Sequence, residues 1–571
     1  MALDPITEQV IQNRLSGIVQ EMQTSIFRTG YSTIVRESQD ASCMILDVNG
    51  DVVGEEVILP LHVAALPEVV RAIYKFYRGR IYPGDVFITN HPYLAGVTHS
   101  IDMALVVPVF VGERLIAFSA NIAHKSDLGG MIPGTGSGSA RELFQEGIQF
   151  PPVKFMDRGN VIDEVESILR ANSRTPEVIL GDIRGQIGTA RIGEERLHDL
   201  VDKYGLETVL EAFAELQNKT EERVRKAISG WDDGVHEADA WVDNDGINLD
   251  QPIYYHVRIE KTGSRILFDF SGSGDQTLGP LNIRPPLVRG CCYYAMVAMV
   301  DPDLSNNGGL ARVVETKFRE GSVLDPRFPA PTNSYMASAT AVTEAVLQAL
   351  NGLVPEKKIA GMGGIGGIAI GGEREDGSPF IQYEIVGSAY GARSSKDGVS
   401  GVSVLLNNAK TAPIEILESE FPVRLSRLEL IQDSGGAGKN RGGLGMVREY
   451  QILTHKAQLT LRGGKHSQAP FGLEGGGPGK VGACVVNPGT ENEQQLPSLF
   501  GGYKLNYLDV ISLHKAGGGG FGKPNERRWE QIVEDVLDGY VSFDSALSDY
   551  GVDSDQLRQI LSEWDGDCEL S

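Results

Sequence analysis

The stretch HSIDMALVVPVFVGERLIAFSANIAHKSDLGG, residues 99–130, decides how the fold is read. Met103 to Val111 and Arg114 to Ala123 are two apolar runs separated only by Gly112-Glu113. A two-residue connection containing glycine between two such runs reads as an antiparallel hairpin. If the turn centres between Gly112 and Glu113, cross-strand partners carry numbers that sum to about 225. Asp102 then lies opposite Ala123, and His124 opposite Ile101. His99 stands in the turn that enters the first strand. Cross-strand neighbours sit about 5 Å apart, so His99, Asp102 and His124 are expected to converge at one end of the hairpin.

Two imidazoles with one or two carboxylates are a usual ligand set for catalytic zinc, manganese or iron, leaving one coordination position open for water. A single histidine is more often a satisfied structural residue; the convergence of two with an aspartate is what points to a metal. Asp102 could instead accept a proton, but a ligand carboxylate is a weak base, so the ligand role is preferred. Asp40, in RESQD, precedes another strand, and nothing local ties it to the other three.

Working outward, the first segment reads as a helix. Asp4 caps it, Pro5 takes the first helical position, and Ile6, Val10, Ile11, Leu15, Ile18, Val19, Met22 and Ile26 recur at helical spacing. Cys43 to Leu46 and Val52-Val53 flank Asn49-Gly50, a strong hairpin signal. Asp85 to Asn90 is a further strand. The Gly/Ser-rich loop GGMIPGTGSGS follows the central hairpin, and Val161 to Trp231 is mostly helical. Beyond it, WVDNDGINL and YYHVRIEKTGSRILFDFSG read as hairpins, and Cys291 to Val300 and Ala337 to Leu350 as buried helices. Lys358 to Gly522 reads as β-rich and glycine-punctuated. Glu526 to Leu561 is an acidic, helical tail. The expected fold class is therefore α+β: a large multi-lobed composite with mixed and antiparallel sheets. Five regions are expected: 1–157 with the metal site, 158–231 helical, 232–357 mixed, 358–524 β-rich, and 525–571 the tail.

Glycine is unusually common, 69 of 571 residues, so nucleotide motifs need checking. GGAGKN (435–440), GGGPGKV (475–481) and GGGGFGKP (517–524) contain Gly-Lys, but none continues with Ser or Thr as a phosphate-binding loop requires. They are read as turns and tight backbone crossings, and no ATP or dinucleotide site is expected in this chain. Asp243-Asn244-Asp245-Gly246 starts like a calcium loop, lacks the rest of that pattern, and reads as a β-turn. Cys291-Cys292 and His62 read as packing residues.

The chain carries 52 basic and 76 acidic residues, a net charge of −24, which argues against binding to nucleic acid or to anionic membrane surfaces. Cys43, Cys291, Cys292, Cys484 and Cys568 form no disulfide framework, which suits a reducing cytoplasm. The opening MALDPITEQV lacks the basic and apolar regions of a signal peptide, and no apolar run is long enough to span a bilayer.

Over most of its length the sequence resembles the hydantoinase B/oxoprolinase family. The likeness is carried by DPITEQVIQNRL (4–15), RESQDASCMILDVNGDVV (36–53), NHPYLAGVTHSIDMALVVPVF (90–110), ANIAHKSDLGGMIPG (120–134), FQEGIQFPPVK (144–154), GDIRGQIGTARIGEERL (181–197) and FPVRLSRLELIQDSGGAGKNRGGLGMVREY (421–450). The resemblance implies a divalent metal held by Asp40, His99, Asp102 and His124, with zinc first and manganese or iron as alternatives. It implies a companion resembling hydantoinase A that carries ATP and magnesium, in an (αβ)2 heterotetramer or larger assembly. The activity it implies is ATP-dependent opening of a cyclic amide such as a hydantoin, oxoproline or lactam. Alternatives are a subunit of an ATP-dependent ketone carboxylase of the acetone or acetophenone type, and a structural subunit whose metal is only a staple. Two departures bear on substrate identity: His124 is followed by Lys125 where the family often has a second histidine, and Thr332 to Ala337 replaces a common Gly-Gly-Asn-Val-Glu-Thr stretch.

Overall fold

The computed structural model describes residues 4–56 and 59–567; Cys568 and the first three residues of the opening segment lie outside them. The chain begins with helix α1 (Pro5–Thr29), capped by the Asp4 carboxylate, which accepts from the Thr7 amide at 3.0 Å. Of its expected apolar stripe, Ile11, Leu15, Ile18, Val19, Met22 and Ile26 are buried, whereas Ile6 and Val10 in the first turns are exposed.

The stripe packs on a seven-stranded antiparallel sheet. Its strands are β1 (Ala41–Asp47), β2 (Val52–Glu56), β3 (Val86–Thr89), β4 (Asp102–Val111), β5 (Arg114–His124), β6 (Val153–Asp157) and β7 (Asn160–Val161). They lie in the order β2-β1-β5-β4-β3-β6-β7. The central strands read as continuous apolar runs because both faces are covered. Met103, Leu105 and Val107 enter a cluster with Ile179, Leu180 and Ile183 of the helix Pro176–Tyr204. Ala104 and Val106 face the larger core that includes α1.

The hairpin forms with one correction to the expected register. Val111 pairs with Arg114 and Phe110 with Leu115, but a bulge between Val109 and Phe110 shifts the rest by one residue. Asp102 therefore lies directly opposite His124, not Ala123. An extra residue in one strand is a common way to re-aim a strand end, and it leaves no trace in a count from the turn.

The helical stretch resolves into helices Asp163–Asn172, Pro176–Tyr204 and Leu206–Ser229. A four-stranded sheet follows, in which Gly234–Val242 pairs with Ile253–Thr262. WVDNDGINL is thus not a hairpin in itself; it ends one strand and opens the loop to the next. The physical reason is the capping demand on its aspartates. Asp243 accepts from the backbone amides of His466, Ser467 and Gln468, and Asp245 from those of Ile247 and Asn248. The second expected hairpin, turning at Gly263, is present. The buried helices are Pro285–Val300 and Met336–Leu350.

The glycine-rich region builds a four-stranded and a five-stranded antiparallel sheet. Its three Gly-Lys segments interleave, and their amides bond to one another. Gly436 donates to the Gly518 carbonyl, Gly477 to Ala437 and Gly520 to Gly477. A Cβ at Gly517 would stand 1.9 Å from the Ser434 carbonyl oxygen, so close backbone approach explains glycine there. The tail forms helices Trp529–Leu537, Phe543–Tyr550 and Ser554–Asp567. No helix among the described residues is long and apolar enough to cross a membrane.

Candidate metal centre

β5 sits between β1 and β4, and all three strands end at the same level. His124 closes β5. Asp102 opens β4 directly across from it. Ala41 pairs with Ala123, so Asp40, one residue earlier, flanks His124 from the other side, its carbonyl accepting from the His124 amide at 3.1 Å. The sheet itself therefore delivers an aspartate to each side of one histidine. His99 reaches in from the turn before β4, where the Asp102 amide donates to the His99 carbonyl.

His99 Nε2 lies 3.1 Å from Asp102 Oδ1, and His124 Nδ1 lies 3.1 Å from the same oxygen. One candidate ligand atom from each residue lies within 4.8 Å of the others, and all three side chains are buried. Asp40 stands slightly back, its Oδ2 3.9 Å from His124 Nδ1. The structure thus brings His99, Asp102 and His124 into one cluster with Asp40 at its edge.

The protonation pattern fits a cation. His99 Nδ1 faces two acceptors, the Asn333 carbonyl at 2.9 Å and the Asn333 side-chain oxygen at 2.8 Å, so it carries the proton. Nε2 then points a lone pair at the Asp102 carboxylate, which is repulsive unless a positive centre lies between them. His124 Nε2 is buried with no hydrogen-bond partner among the described residues. Burial would raise the Asp102 carboxyl, but the imidazoles around it, His99 first and then His124 and His62, outweigh burial and hold it well below the usual range, so it is ionised. Burial and the Asp102 charge push Asp40 well above that range, partly offset by Arg462. Burial depresses His124 to about 4, so its ring is neutral near pH 7, the form that ligates metal. Two buried carboxylates and two neutral imidazoles are a hard-to-borderline N/O donor set suited to a divalent ion.

Several residues at the centre gave no sequence signal. His62, read as packing, bridges Ser42 Oγ (2.9 Å from Nδ1) and Asp102 Oδ2 (3.5 Å from Nε2). Thr98 donates to the same Asp102 oxygen. Tyr335 meets His99 edge-on with ring centres 4.8 Å apart, and Tyr383 stacks on His124 at 4.8 Å. Asn333 and Tyr335 belong to the 332–337 stretch that departs from the family pattern. Lys125, the other departure, is fully buried and donates to Gln186 Oε1 at 2.5 Å. Departure from the family pattern flagged 332–337 and Lys125; Thr98 adjoins the hairpin without a signal of its own, and His62 and Tyr383 lie far from it in sequence.

With this geometry in place, similarity to known proteins becomes informative. Residues 4–524 match the pattern described as hydantoinase B/oxoprolinase. The B-type component of a putative D-/L-hydantoinase from Pseudomonas sp. (strain NS671) is 34% identical, covering 97% of this chain and 96% of its own. The crystal structure of an ATP-dependent caprolactamase from Pseudomonas jessenii superposes with a TM-score of 0.89 at 25% identity, covering 97% of this chain and 98% of that one. A nucleotide-free acetone carboxylase shares the fold, with a TM-score of 0.86 at 19% identity over all of this chain and 84% of the other.

Proposed function

The chain belongs to the hydantoinase B/oxoprolinase family, and from that premise we propose that it is the metal-binding subunit of an ATP-dependent enzyme that hydrolyses a cyclic amide. The class of substrate is a hydantoin, oxoproline or lactam ring. A hydantoinase A-like companion supplies the ATP site, in an (αβ)2 or larger assembly in the cytoplasm. The observation that carries the reading is the buried His99–Asp102–His124 cluster at the shared end of β4 and β5, with Asp40 beside it. The free, buried Cys43, Cys291, Cys292 and Cys484 accord with a reducing compartment.

A divalent ion, zinc in the first instance, would be held by His99, Asp102 and His124 with Asp40 beside them, and would supply Lewis acidity and ease the ionisation of water. The protein's own residues do the rest. Asn333 fixes the His99 tautomer so that Nε2 faces the reacting centre. Thr98 and His62 hold the outer oxygen of Asp102, leaving Oδ1 turned toward the two imidazoles. Tyr335 and Tyr383 wall the rings and exclude bulk water. In the balanced reaction, water adds across the amide C–N bond, the nitrogen leaves with a proton, and the terminal phosphoryl group of ATP ends on water as phosphate. Coupling to ATP is needed because opening an unstrained lactam can be uphill.

The test is to purify the chain with its companion and screen cyclic amides and ketones while reading ADP release, metal content and incorporation of labelled bicarbonate. Ring opening with ADP release is expected, and H99A and H124A should lose metal and turnover together. Full activity in a metal-free variant overturns the catalytic role and leaves a structural subunit. Labelled carbon in the product overturns hydrolysis in favour of ketone carboxylation.

A further inference from the structure

Four arginines are buried among the described residues: Arg441, Arg448, Arg462 and Arg527. Three have carboxylates, Arg441 on Asp535 at 3.3 Å, Arg448 on Glu384 at 3.1 Å, and Arg527 on Asp397 at 2.8 Å and Asp535 at 2.7 Å. Arg462 is different. It is 1% exposed, and its Nη1 and Nη2 have no hydrogen-bond partner among the described residues. A buried guanidinium with no carboxylate in contact is costly to a fold. A fold tolerates such a group where an anion arrives to meet it.

Its position says which anion. Arg462 ends the strand Lys456–Arg462, where it pairs with Gly367 and Leu499. Its guanidinium lies over the Tyr383 ring at 4.5 Å, and that ring stacks on His124. On another side lies Gly136 of the glycine-rich loop, where a Cβ would stand 2.4 Å from Nη1. Only a residue without a side chain fits there against the fork. Through the Tyr383 ring the guanidinium adjoins His124, which places it beside the candidate metal centre rather than elsewhere in the core. With Asp40 and Asp102 ionised, a divalent ion bound and Arg462 charged, the centre carries one net positive charge.

We infer that Arg462 is the oxyanion anchor of this centre, its Nη1 and Nη2 amino groups gripping two oxygens of one phosphoryl or carboxylate group beside the Tyr383 ring. Guanidinium forks match the paired oxygens of either group in a way lysine cannot. Resting on the function proposed above, with ATP transferring its terminal phosphoryl group to the amide oxygen and leaving ADP before water displaces it, the oxyanion is that phosphoryl group; the carboxylate of the opened product has the same chemistry.

The test uses the full-length chain loaded with zinc, titrated calorimetrically with inorganic phosphate and, separately, with glutarate. R462M and R462K are compared with the parent, with zinc content and thermal unfolding measured on each. R462M should keep zinc and fold but bind phosphate about ten- to a hundredfold more weakly, the value of hydrogen bonds to a charged group. R462K should fall between the two. Stronger binding of glutarate than phosphate, still dependent on Arg462, supports the anchor with the product carboxylate as its source. Parent-like phosphate binding by R462M overturns the proposal. So does failure of both variants to fold or to hold zinc, which makes Arg462 a structural residue. Arg462-dependent phosphate binding in an enzyme that opens no cyclic amide overturns the proposed function and leaves the anchor standing.

Discussion

His99 is as informative for what it does not touch as for what it does. Its Nδ1 proton is committed to Asn333, so the ring can offer only Nε2 to the centre. Partners that fix a ligand imidazole in this way are typically worth about 10–100-fold in metal affinity. N333A is expected to weaken zinc binding by that amount while leaving the fold intact, as read by chelator competition and circular dichroism. Asn333 is itself held by Glu146, whose Oε1 accepts from the Asn333 amide at 2.8 Å. Burial pushes the Glu146 carboxyl up to about 8, against opposing hydrogen bonds from the Asn333 and Thr332 amides. Below about pH 4.5 the side chain is protonated both folded and unfolded. Between there and about 8 the unfolded chain gives up the proton and the folded one keeps it. Stability therefore falls as pH rises through that window, by up to about 1.4 kcal/mol per unit. E146Q keeps the acceptor without the proton, so its unfolding free energy should lose this slope. An unchanged slope in denaturant titrations from pH 5 to 8 would show that Glu146 is ionised in the fold.

At the scale of elements, the sheets of the glycine-rich region are joined by a buried polar link. Arg448, on the strand Met446–Ile452, pairs with Glu384 on the strand Pro379–Val386 of the other sheet, and Tyr450 donates to the same carboxylate. R448M leaves Glu384 buried without its cation and should lower stability by about 3–5 kcal/mol. The double variant R448M/E384Q should recover most of that loss. Chemical denaturation of the four proteins of the cycle checks it, and an additive double variant would show the pair is uncoupled. Elements also explain what could be read from sequence. The β4–β5 hairpin announces itself because its two apolar runs and turn are contiguous, so the meeting of His99, Asp102 and His124 was accessible from spacing alone. The one-residue bulge was not, because it depends on how β5 is held between β1 and β4. Asp40 depends on the β1–β5 pairing, a contact across about 80 residues that no local pattern encodes. Only family likeness pointed to it. Tyr383 and Arg462 arrive from another sheet, and nothing in their own neighbourhoods distinguishes them from core residues; Asn333 and Tyr335 are marked only by the departure of 332–337 from the family pattern.

Across the whole molecule, the candidate metal centre is where distant parts of the chain meet. The first sheet contributes Asp40, Asp102 and His124, the turn before the helix Met336–Leu350 contributes Asn333 and Tyr335, and the four-stranded glycine-rich sheet contributes Tyr383 and Arg462. A bound ion therefore stabilises the assembly of these parts as well as supplying chemistry, by about 4 kcal/mol when its concentration is about a thousand times its dissociation constant. Removing it with a chelator should lower the unfolding midpoint, and restoring it should reverse the change. The pH dependence has a definite sign. Without the ion, burial and the Asp102 charge keep Asp40 protonated well above the usual carboxylate range. His124, depressed to about 4, is already neutral there and releases nothing. With Asp40 as the fourth ligand, binding must drive off its proton, so affinity rises with pH, by up to about tenfold per unit while that proton remains. Chelator-competition titrations at pH 6, 7 and 8 should show this rise in the parent, and weakly buffered samples should acidify on addition of zinc. D40N, which has no proton to lose, should bind more weakly with a flatter profile. An affinity independent of pH in the parent would remove Asp40 from the ligand set and leave His99, Asp102 and His124 as a three-residue site.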